Sequence, residues 1–131
     1  MLGGCSTRVF FDSGSAALGV RGEVSLRRFA TIYRGEFFPT PSKMYVAIEG
    51  HTDSAGNDDQ NLRLSMARAR SVRGSLLQEG MSADRLVAMG CGSKRPMVGG
   101  PVNPDEPQNR NVLVKGELGG VNERASCKMV N

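Results

Sequence analysis

The sequence predicts an α+β sandwich in which helices pack on one face of a small mixed β-sheet. Short apolar runs of strand length alternate with two stretches of helical periodicity, in the order strand, helix, strand, helix, strand, loop, strand. The second of these strands is apolar at almost every position, which is typical of a strand in the middle of a sheet. The length of 131 residues suits a single domain with its own core.

The first half of the chain supplies two strands and a helix. Arg8 to Phe11 is a short apolar run that ends at a turn of Asp, Ser and Gly, so it predicts the first strand. A helix is predicted from about Glu23 to Arg34, because apolar residues recur there at helical spacing. Gly35 to Lys43 contains two prolines and predicts a loop. Met44 to Ile48 is the central strand.

The second half is organised around a long helix from about Asp58 to Gln78. Apolar residues recur along it at spacings of three and four, which predicts one core-facing stripe. Asn57 or Asp58 can cap its first turn, and Gly80 is a stop signal. The remaining strands, which a proline-rich loop separates, are predicted at Arg85 to Met89 and at Val112 to Leu118.

The residues outside these elements are predicted to form flexible ends, at 1–7 and 119–131, so that the domain itself spans residues 8–118. The sequence contains neither a run of about 18 apolar residues nor the apolar core of a signal peptide. We therefore expect any targeting signal or membrane anchor to be supplied by a segment outside these residues.

Composition limits the partners only broadly. The net charge is +4, from 17 basic and 13 acidic residues, which favours anionic partners without choosing among them. The three cysteines show no C-x-x-C spacing. One disulfide, for instance between Cys91 and Cys127, can form, but we expect three free thiols without a role. Leu2-Gly3-Gly4-Cys5 is similar to the end of a lipoprotein processing site, although the apolar segment that should precede it is missing.

The candidate binding residues lie where strands end. Asp12 and Asp53 each follow an apolar strand, and a mixed sheet can bring two such ends to one edge. Arg68 lies on the helix that follows Asp53, and Arg110 lies at the start of the last strand. An arginine can hold a carboxylate through two hydrogen bonds, and a fixed aspartate can accept from an ammonium. This set predicts a site for a small zwitterionic ligand, completed by the polar groups of Thr52, Ser54 and Asn61.

Two further expectations concern the same region. Backbone N–H groups of the turn from Ser54 to Asn57 and of the following helix start are expected to bind a second carboxylate. The competing interpretation is that Asp53 and Arg68 simply pair with each other as a structural ion pair. The two interpretations can coexist, because an internal pair can preorganise a site.

Other chemistry is not expected. A single histidine, His51, would have to serve every proposal of a zinc site or of nucleophilic catalysis, so we expect neither a metal nor an enzyme. No P-loop or dinucleotide-binding glycine pattern occurs, and we expect no cofactor. Outward arginines such as Arg63, Arg70 and Arg73 could form a nucleic-acid patch. Aromatic residues make up only 5% of the chain, however, and we expect a solvated face without nucleic acid.

The motifs around the central strand resemble those of a known family. Gly50-His51-Thr52-Asp53 is followed by Asn61-x-x-Leu64-Ser65-x-x-Arg68-Ala69, and the chain opens with V-F-F-D-S-G-S-A. The same pattern continues with Arg85-Leu86, Gly90-x-Gly92 and Asn109-Arg110. These motifs are similar to those of the OmpA-like C-terminal domain family, which includes the peptidoglycan-associated lipoprotein and the flagellar stator protein. The resemblance covers about Arg8 to Leu118.

This resemblance implies a β/α/β/α/β-type sandwich that binds the peptide stem of peptidoglycan non-covalently, chiefly through diaminopimelate. It implies that Asp53 and Arg68 are the central pair of the site. The residues that match the family's ligand-binding positions, or would line the same pocket, are Asp12, Thr52, Asp53, Asn61, Leu64, Arg68 and Arg110. It also implies a periplasmic location in a Gram-negative bacterium, with the outer membrane reached through an anchor elsewhere, and it leaves monomer and homodimer open.

Two departures from the family pattern do not touch the central pair. The closing motif has Asn111 where the family has a second arginine, and the loop from Gly35 to Lys43 looks longer than usual. We therefore expect a non-enzymatic wall anchor, in which Asp53→Ala or Arg68→Ala abolishes wall binding with little loss of fold. The alternatives are a cell-wall hydrolase that uses His51 and nearby carboxylates, and a basic domain that binds nucleic acid or protein.

Overall fold

The computed structural model describes residues 6–36, 44–96, 106–118 and 126–130. The strands and α-helices of these residues are β1 (Ser6–Phe10), α1 (Val20–Glu36), β2 (Met44–Gly50), α2 (Asp58–Gln78), β3 (Leu86–Gly90), β4 (Asn111–Leu118) and β5 (Lys128–Val130). The strands form one mixed sheet in the order β1-β4-β2-β3-β5. β2 and β3 are parallel, and all other neighbours are antiparallel.

The core lies between one face of this sheet and the two helices. Strand residues that pair across the sheet alternate between its faces, so β2 turns Val46 and Ile48 toward the helices and Ala47 and Glu49 away from them. The helices meet that face with Leu26, Phe29, Ala30, Tyr33, Ala69, Val72 and Leu76, all of them buried. The predicted mixed sheet with helices on one face is confirmed.

Two glycines let α2 lie directly on the ends of the parallel strands. Gly50 and Gly90 are paired across β2 and β3. A Cβ atom at Gly50 would lie 1.9 Å from the carbonyl oxygen of Ser65, and one at Gly90 would lie 2.4 Å from Cγ of Met66. Real Cβ atoms do not approach other atoms so closely, so a side chain at either position would push the helix outward. This close approach brings the next helical turn, which carries Arg68, over the strand ends.

Most predicted elements are confirmed, with shifted ends. The long helix spans the predicted residues, and Asn57 caps it: its side chain accepts from the backbone N–H of Gln60, whose own side chain accepts from the N–H of Asn57. The first helix begins three residues earlier than predicted. The prediction missed this turn because it has no apolar stripe, and its Val20 is exposed. β1 begins at Ser6, so the expected tail at residues 1–7 is wrong for Ser6 and Thr7.

The end of the chain differs most from the prediction. The prediction of disorder from Gly119 onward is wrong for residues 126–130, because β5 pairs with β3 at the edge of the sheet. The expectation of free thiols is wrong for Cys91 and Cys127, which form a disulfide with a Cα–Cα distance of 4.0 Å. Cys5 and most of the predicted loop at 35–43 lie outside the described residues. Within the described ranges, neither helix has the length and apolar character needed to span a bilayer.

Candidate functional site

Arg68 is the buried centre of the strand-end region. Its Nε donates to the carbonyl oxygen of Ser15 at 2.7 Å, Nη2 to that of Asp12 at 2.9 Å, and Nη1 to that of His51 at 3.0 Å. The residue is fully buried, and its guanidinium carbon lies 5.2 Å from the ring centre of Phe11. One side chain therefore ties α2 to the end of β2 and to the turn after β1.

The charge on Arg68 survives this burial. Removal from water lowers the pKa of Arg68 to about 10; the carboxylate of Asp53 raises it and the charge of Arg110 lowers it. A pKa of about 10 leaves the guanidinium protonated at neutral pH. The strand ends therefore contain a positive charge that is held mainly by backbone carbonyls.

Asp53 and Arg110 form the ion pair of the site. Nη1 of Arg110 lies 3.2 Å from Oδ2 of Asp53, and the two side chains are 15% and 9% exposed. Nε of Arg110 also donates to the carbonyl oxygen of Phe11. The competing interpretation that Asp53 pairs with Arg68 is wrong in this structure, because Nε, Nη1 and Nη2 of Arg68 donate to carbonyls and Arg110, the residue before β4, reaches the carboxylate.

Two buried polar groups on the adjoining segments, at the residue before Asp53 and near the start of α2, have no hydrogen-bond partner among the described residues. They are Oγ1 of Thr52 and Nδ2 of Asn61, in residues that are 2% and 5% exposed. A buried donor or acceptor without a partner costs about 1–3 kcal/mol. Such groups commonly point to a missing ligand or water.

The turn after Asp53 uses some of its backbone N–H donors internally. The N–H of Ala55 donates to Oδ1 of Asp53, and the N–H groups of Asn57 and Gln60 are used within the helix cap. These three donors, which are part of the set expected to meet a second ligand carboxylate, are therefore occupied within the turn and the helix cap. Gly56 makes this closed turn with a positive φ of 84°.

The remaining predicted residues are Asp12, after β1, and Leu64, on α2. Asp12 contributes its backbone oxygen to Arg68, while its side chain is exposed. Leu64 is half-buried on α2, one turn before Arg68. An open groove of about 430 Å³ continues from this edge, lined by Phe10, Phe11, Asp12, Pro107, Gln108 and Arg110.

Sequence reasoning missed the residues that support the site rather than line it. Ser65 is fully buried, accepts from the N–H of Gly92 at 2.8 Å and donates to the carbonyl oxygen of Leu62 at 2.7 Å. The carbonyl of Gly92 in turn accepts from the N–H of Thr52 at 2.9 Å. In the sequence, this contact was indicated only by the glycines of the predicted turn Gly90-Cys91-Gly92, since glycine allows two backbone segments to approach closely.

His51 belongs to the other side of the sheet. Its side chain lies beside Glu49, with Nε2 of His51 3.2 Å from Oε1 of Glu49, and both are buried. The same side chain lines a cavity with Ala47 and Leu113 on the face away from the helices. The imidazole that the hydrolase hypothesis requires therefore faces Glu49 and this cavity, on the sheet face away from the helices.

The chain is similar to several known proteins. Residues 10–110 match the OmpA family. The chain is 36% identical to the probable lipoprotein YiaD of Escherichia coli over 106 residues, which are 81% of this chain and 46% of the relative. It is 36% identical to the peptidoglycan-associated lipoprotein of Pseudomonas aeruginosa over 70 residues, which are 53% of this chain and 42% of that protein.

A solved structure shows the same architecture. The crystal structure of the peptidoglycan-associated lipoprotein from Burkholderia pseudomallei is similar with a TM-score of 0.73 at 25% identity, covering 84% of this chain and 89% of that one. The chain spans less than half the length of the two curated relatives named above. Because the family match extends from β1 to the start of β4, the chain belongs to the OmpA family.

Proposed function

We propose that this domain binds peptidoglycan non-covalently, through the diaminopimelate residue of the stem peptide. The observation that supports the proposal best is that the carboxylate of Asp53 interacts with two cations. It pairs directly with Arg110, and its charge raises the pKa of the buried Arg68. Diaminopimelate carries an ammonium and a carboxylate on one carbon. A fixed acid beside two cations is complementary to that pair of charges.

In this proposal the ligand exchanges partners with the Asp53–Arg110 pair. Its ammonium takes the place of Arg110 at Asp53, and its carboxylate takes the place of Asp53 at Arg110. Thr52 and Asn61, whose buried polar atoms have no partner among the described residues, complete the ligand's hydrogen bonds. The exchange keeps the number of charged contacts nearly constant. The new hydrogen bonds to Thr52 and Asn61 then make the free energy of binding favourable.

Arg68 acts differently from the sequence-based expectation. Because it is fully buried and donates to three backbone carbonyls, it positions the segments around the site and supplies a fixed positive potential. Arg110 is the more exposed cation and makes the direct contact with the ligand carboxylate. Asp12 contributes its backbone to this arrangement and its exposed carboxylate to the rim.

The relatives and the disulfide support an envelope location. One relative is named a peptidoglycan-associated lipoprotein and another an outer membrane protein. Disulfides such as Cys91–Cys127 persist in oxidising compartments, which include the bacterial periplasm. We propose a periplasmic domain that is tethered to the outer membrane through a segment outside these residues, and whose role is to anchor its parent protein to the wall.

The decisive experiment is a calorimetric titration of the domain with a diaminopimelate-containing stem peptide. We expect saturable binding that weakens at least about tenfold in Asp53→Asn and in Arg110→Gln, since each loses a charge-assisted hydrogen bond. Arg63→Gln is the matched control, because Arg63 is exposed and pairs with Asp59 on the outer side of α2. Equal affinity of all four proteins would show that the ligand site has been assigned wrongly.

A second readout separates binding from catalysis. We propose a binding module rather than an enzyme, since the imidazole of His51 faces Glu49 and the cavity on the sheet face away from the helices, whereas Arg68 approaches from the helix side. Incubation with purified peptidoglycan should deplete the protein from the supernatant and release no soluble muropeptides. Release that depends on His51 or Glu49 would overturn this part of the proposal.

A further inference from the structure

The sheet face away from the helices carries a second cluster of chemically active residues. Glu49, His51 and Cys91 are all buried, and one ligand atom from each lies within 4.8 Å of the others. The pairing of Gly50 with Gly90 explains this proximity, because the next residues of the parallel strands, His51 and Cys91, then lie side by side. Glu49 lies two residues before His51 and therefore faces the same side.

Cys127 adds a fourth group to this cluster. It is bonded to Cys91, and the residue after it pairs with Gly90 at the start of β5. The imidazole, the two sulfur atoms and the carboxylate therefore lie along one edge of the sheet, at the ends of three neighbouring strands. None of these side chains is used by the site around Asp53, so the cluster is independent of the proposed function.

The imidazole of His51 is only half satisfied. Its Nε2 faces the carboxylate of Glu49, whereas Nδ1 is buried and has no hydrogen-bond partner among the described residues. A histidine that gives one ring nitrogen to a carboxylate and leaves the other free is arranged like a metal ligand, in which the carboxylate fixes the ring. The buried Nδ1 is thus an independent indication that a group is missing here.

We propose that reduction of the Cys91–Cys127 disulfide creates a zinc site, with the thiolates of Cys91 and Cys127 and Nδ1 of His51 as ligands. Glu49 holds the imidazole through Nε2, and water completes the tetrahedron. Thiolate and imidazole together are the donor set that Zn²⁺ takes in proteins. This proposal departs from the expectation from sequence that the chain has no metal, which counted one histidine and took the cysteines to be free thiols without a role.

The disulfide and the metal are alternative states of the same sulfur atoms. A dithiol reductant transfers two electrons and two protons to the Cys91–Cys127 bond, which breaks to two thiols while the reductant becomes a disulfide. Zn²⁺ then displaces the two thiol protons, which are released to solvent. While the sulfur atoms are bonded to each other they cannot be thiolate ligands, so the oxidised protein should not bind the metal.

Cobalt titration tests the proposal, since Co²⁺ replaces Zn²⁺ and reports thiolate ligands by charge-transfer absorption. The protein carries Cys5→Ser, which removes the thiol outside the described residues, and is reduced with a phosphine that does not compete as a dithiol would. We expect one Co²⁺ per chain with thiolate charge-transfer and tetrahedral ligand-field bands, both bleached by Zn²⁺. The oxidised protein is the control and should show neither.

Two variants assign the ligands. His51→Gln should abolish the tetrahedral spectrum, and Glu49→Gln should weaken the metal affinity roughly 10–100-fold while keeping it, as expected for the partner of a ligand. Absence of thiolate bands in the reduced protein, or an unchanged spectrum in His51→Gln, would overturn the proposal. If the reduced protein does not fold, Cys127→Ser retains Cys91, His51 and Glu49 without a disulfide. That variant should bind Co²⁺ with one thiolate band, and failure to do so would equally overturn the site.

Discussion

The carboxylate of Asp53 pairs with Arg110, the residue before β4, and not with Arg68 on the adjacent helix. The distance from Oδ2 of Asp53 to Nη1 of Arg110 is 3.2 Å, while the donors of Arg68 are directed at backbone oxygens. Two arginines that come from separate sequence motifs therefore have different roles in one site. One closes the site and can be exchanged for a ligand, and the other holds the backbone around it.

The Asp53–Arg110 pair should show measurable but modest coupling. We expect Asp53→Asn and Arg110→Gln each to lower the free energy of unfolding by about 1 kcal/mol, with a coupling energy of roughly 0.5–1 kcal/mol, because the pair is partly open to water. Urea unfolding of the two single variants, the double variant and the unmodified protein gives this energy. Strict additivity would mean that the pair is not formed in solution.

Arg68→Ala should unfold the domain rather than only weaken binding. It leaves the carbonyls of Asp12, Ser15 and His51 without the donor that the structure gives them, so we expect a loss of about 3–5 kcal/mol in the free energy of unfolding. This contradicts the expectation from sequence that the variant keeps its fold. Arg63→Ala, at an exposed position of the same helix, should stay within about 0.5 kcal/mol of the unmodified protein in the same urea titration.

The contact between the strand ends and α2 should not tolerate one added carbon atom. Gly50→Ala would place Cβ at 1.9 Å from the carbonyl oxygen of Ser65, so we expect a loss of roughly 2–4 kcal/mol and weaker ligand binding as the helix moves outward. Thermal unfolding and the stem-peptide titration measure the two effects. Gly74→Ala is the control.

A Cβ atom at Gly74 would meet nothing within 4 Å, and the residue lies inside α2. That substitution should raise the free energy of unfolding by roughly 0.5–1 kcal/mol, since alanine favours a helix over glycine. If both glycine variants changed stability by the same amount, the tight approach of helix and strands would be refuted.

Reduction of Cys91–Cys127 should destabilise the domain when no metal is present. The disulfide closes a segment with a sequence separation of 36, for which the loss of chain entropy in the unfolded state corresponds to about 4 kcal/mol. We expect a lower urea midpoint for the reduced protein in the presence of a chelator. Cys5→Ser should not shift the midpoint of the oxidised protein. A reduced midpoint equal to the oxidised one would show that β5 stays in place without its covalent link.

The parts of the fold that were predicted well have local signals. The long helix combines an apolar stripe, the cap at Asn57 and a following glycine, and its bounds are confirmed at both ends. β2 has a continuous apolar run, and it lies in the middle of the sheet as that run indicates. Each of these signals acts within a few residues of the element that it specifies.

The parts that were missed depend on residues far apart in the chain. β5 has three residues and no pattern of its own, and it forms because β3 offers a sheet edge and Cys91 offers a sulfur atom. The partner of Asp53 could not be chosen from sequence, because Arg68 and Arg110 are both arginines and the distances follow from how close α2 lies to the sheet. The turn after β1 supplies carbonyl oxygens that occupy donors of Arg68. No local sequence pattern indicates that this turn contacts α2.

The absence of side chains at Gly50 and Gly90 limits how this domain can diversify. The backbones of α2 and of the strand ends are in contact, so no side chains between them can change size. The distance between helix and sheet is therefore fixed, and the pocket cannot adapt to a larger or smaller ligand by repacking there. Preference among wall chemistries must then be set at the periphery, by residues such as Gln108 and Arg110 that border the groove. Relatives with the same interior could thus discriminate between walls while sharing one folding core.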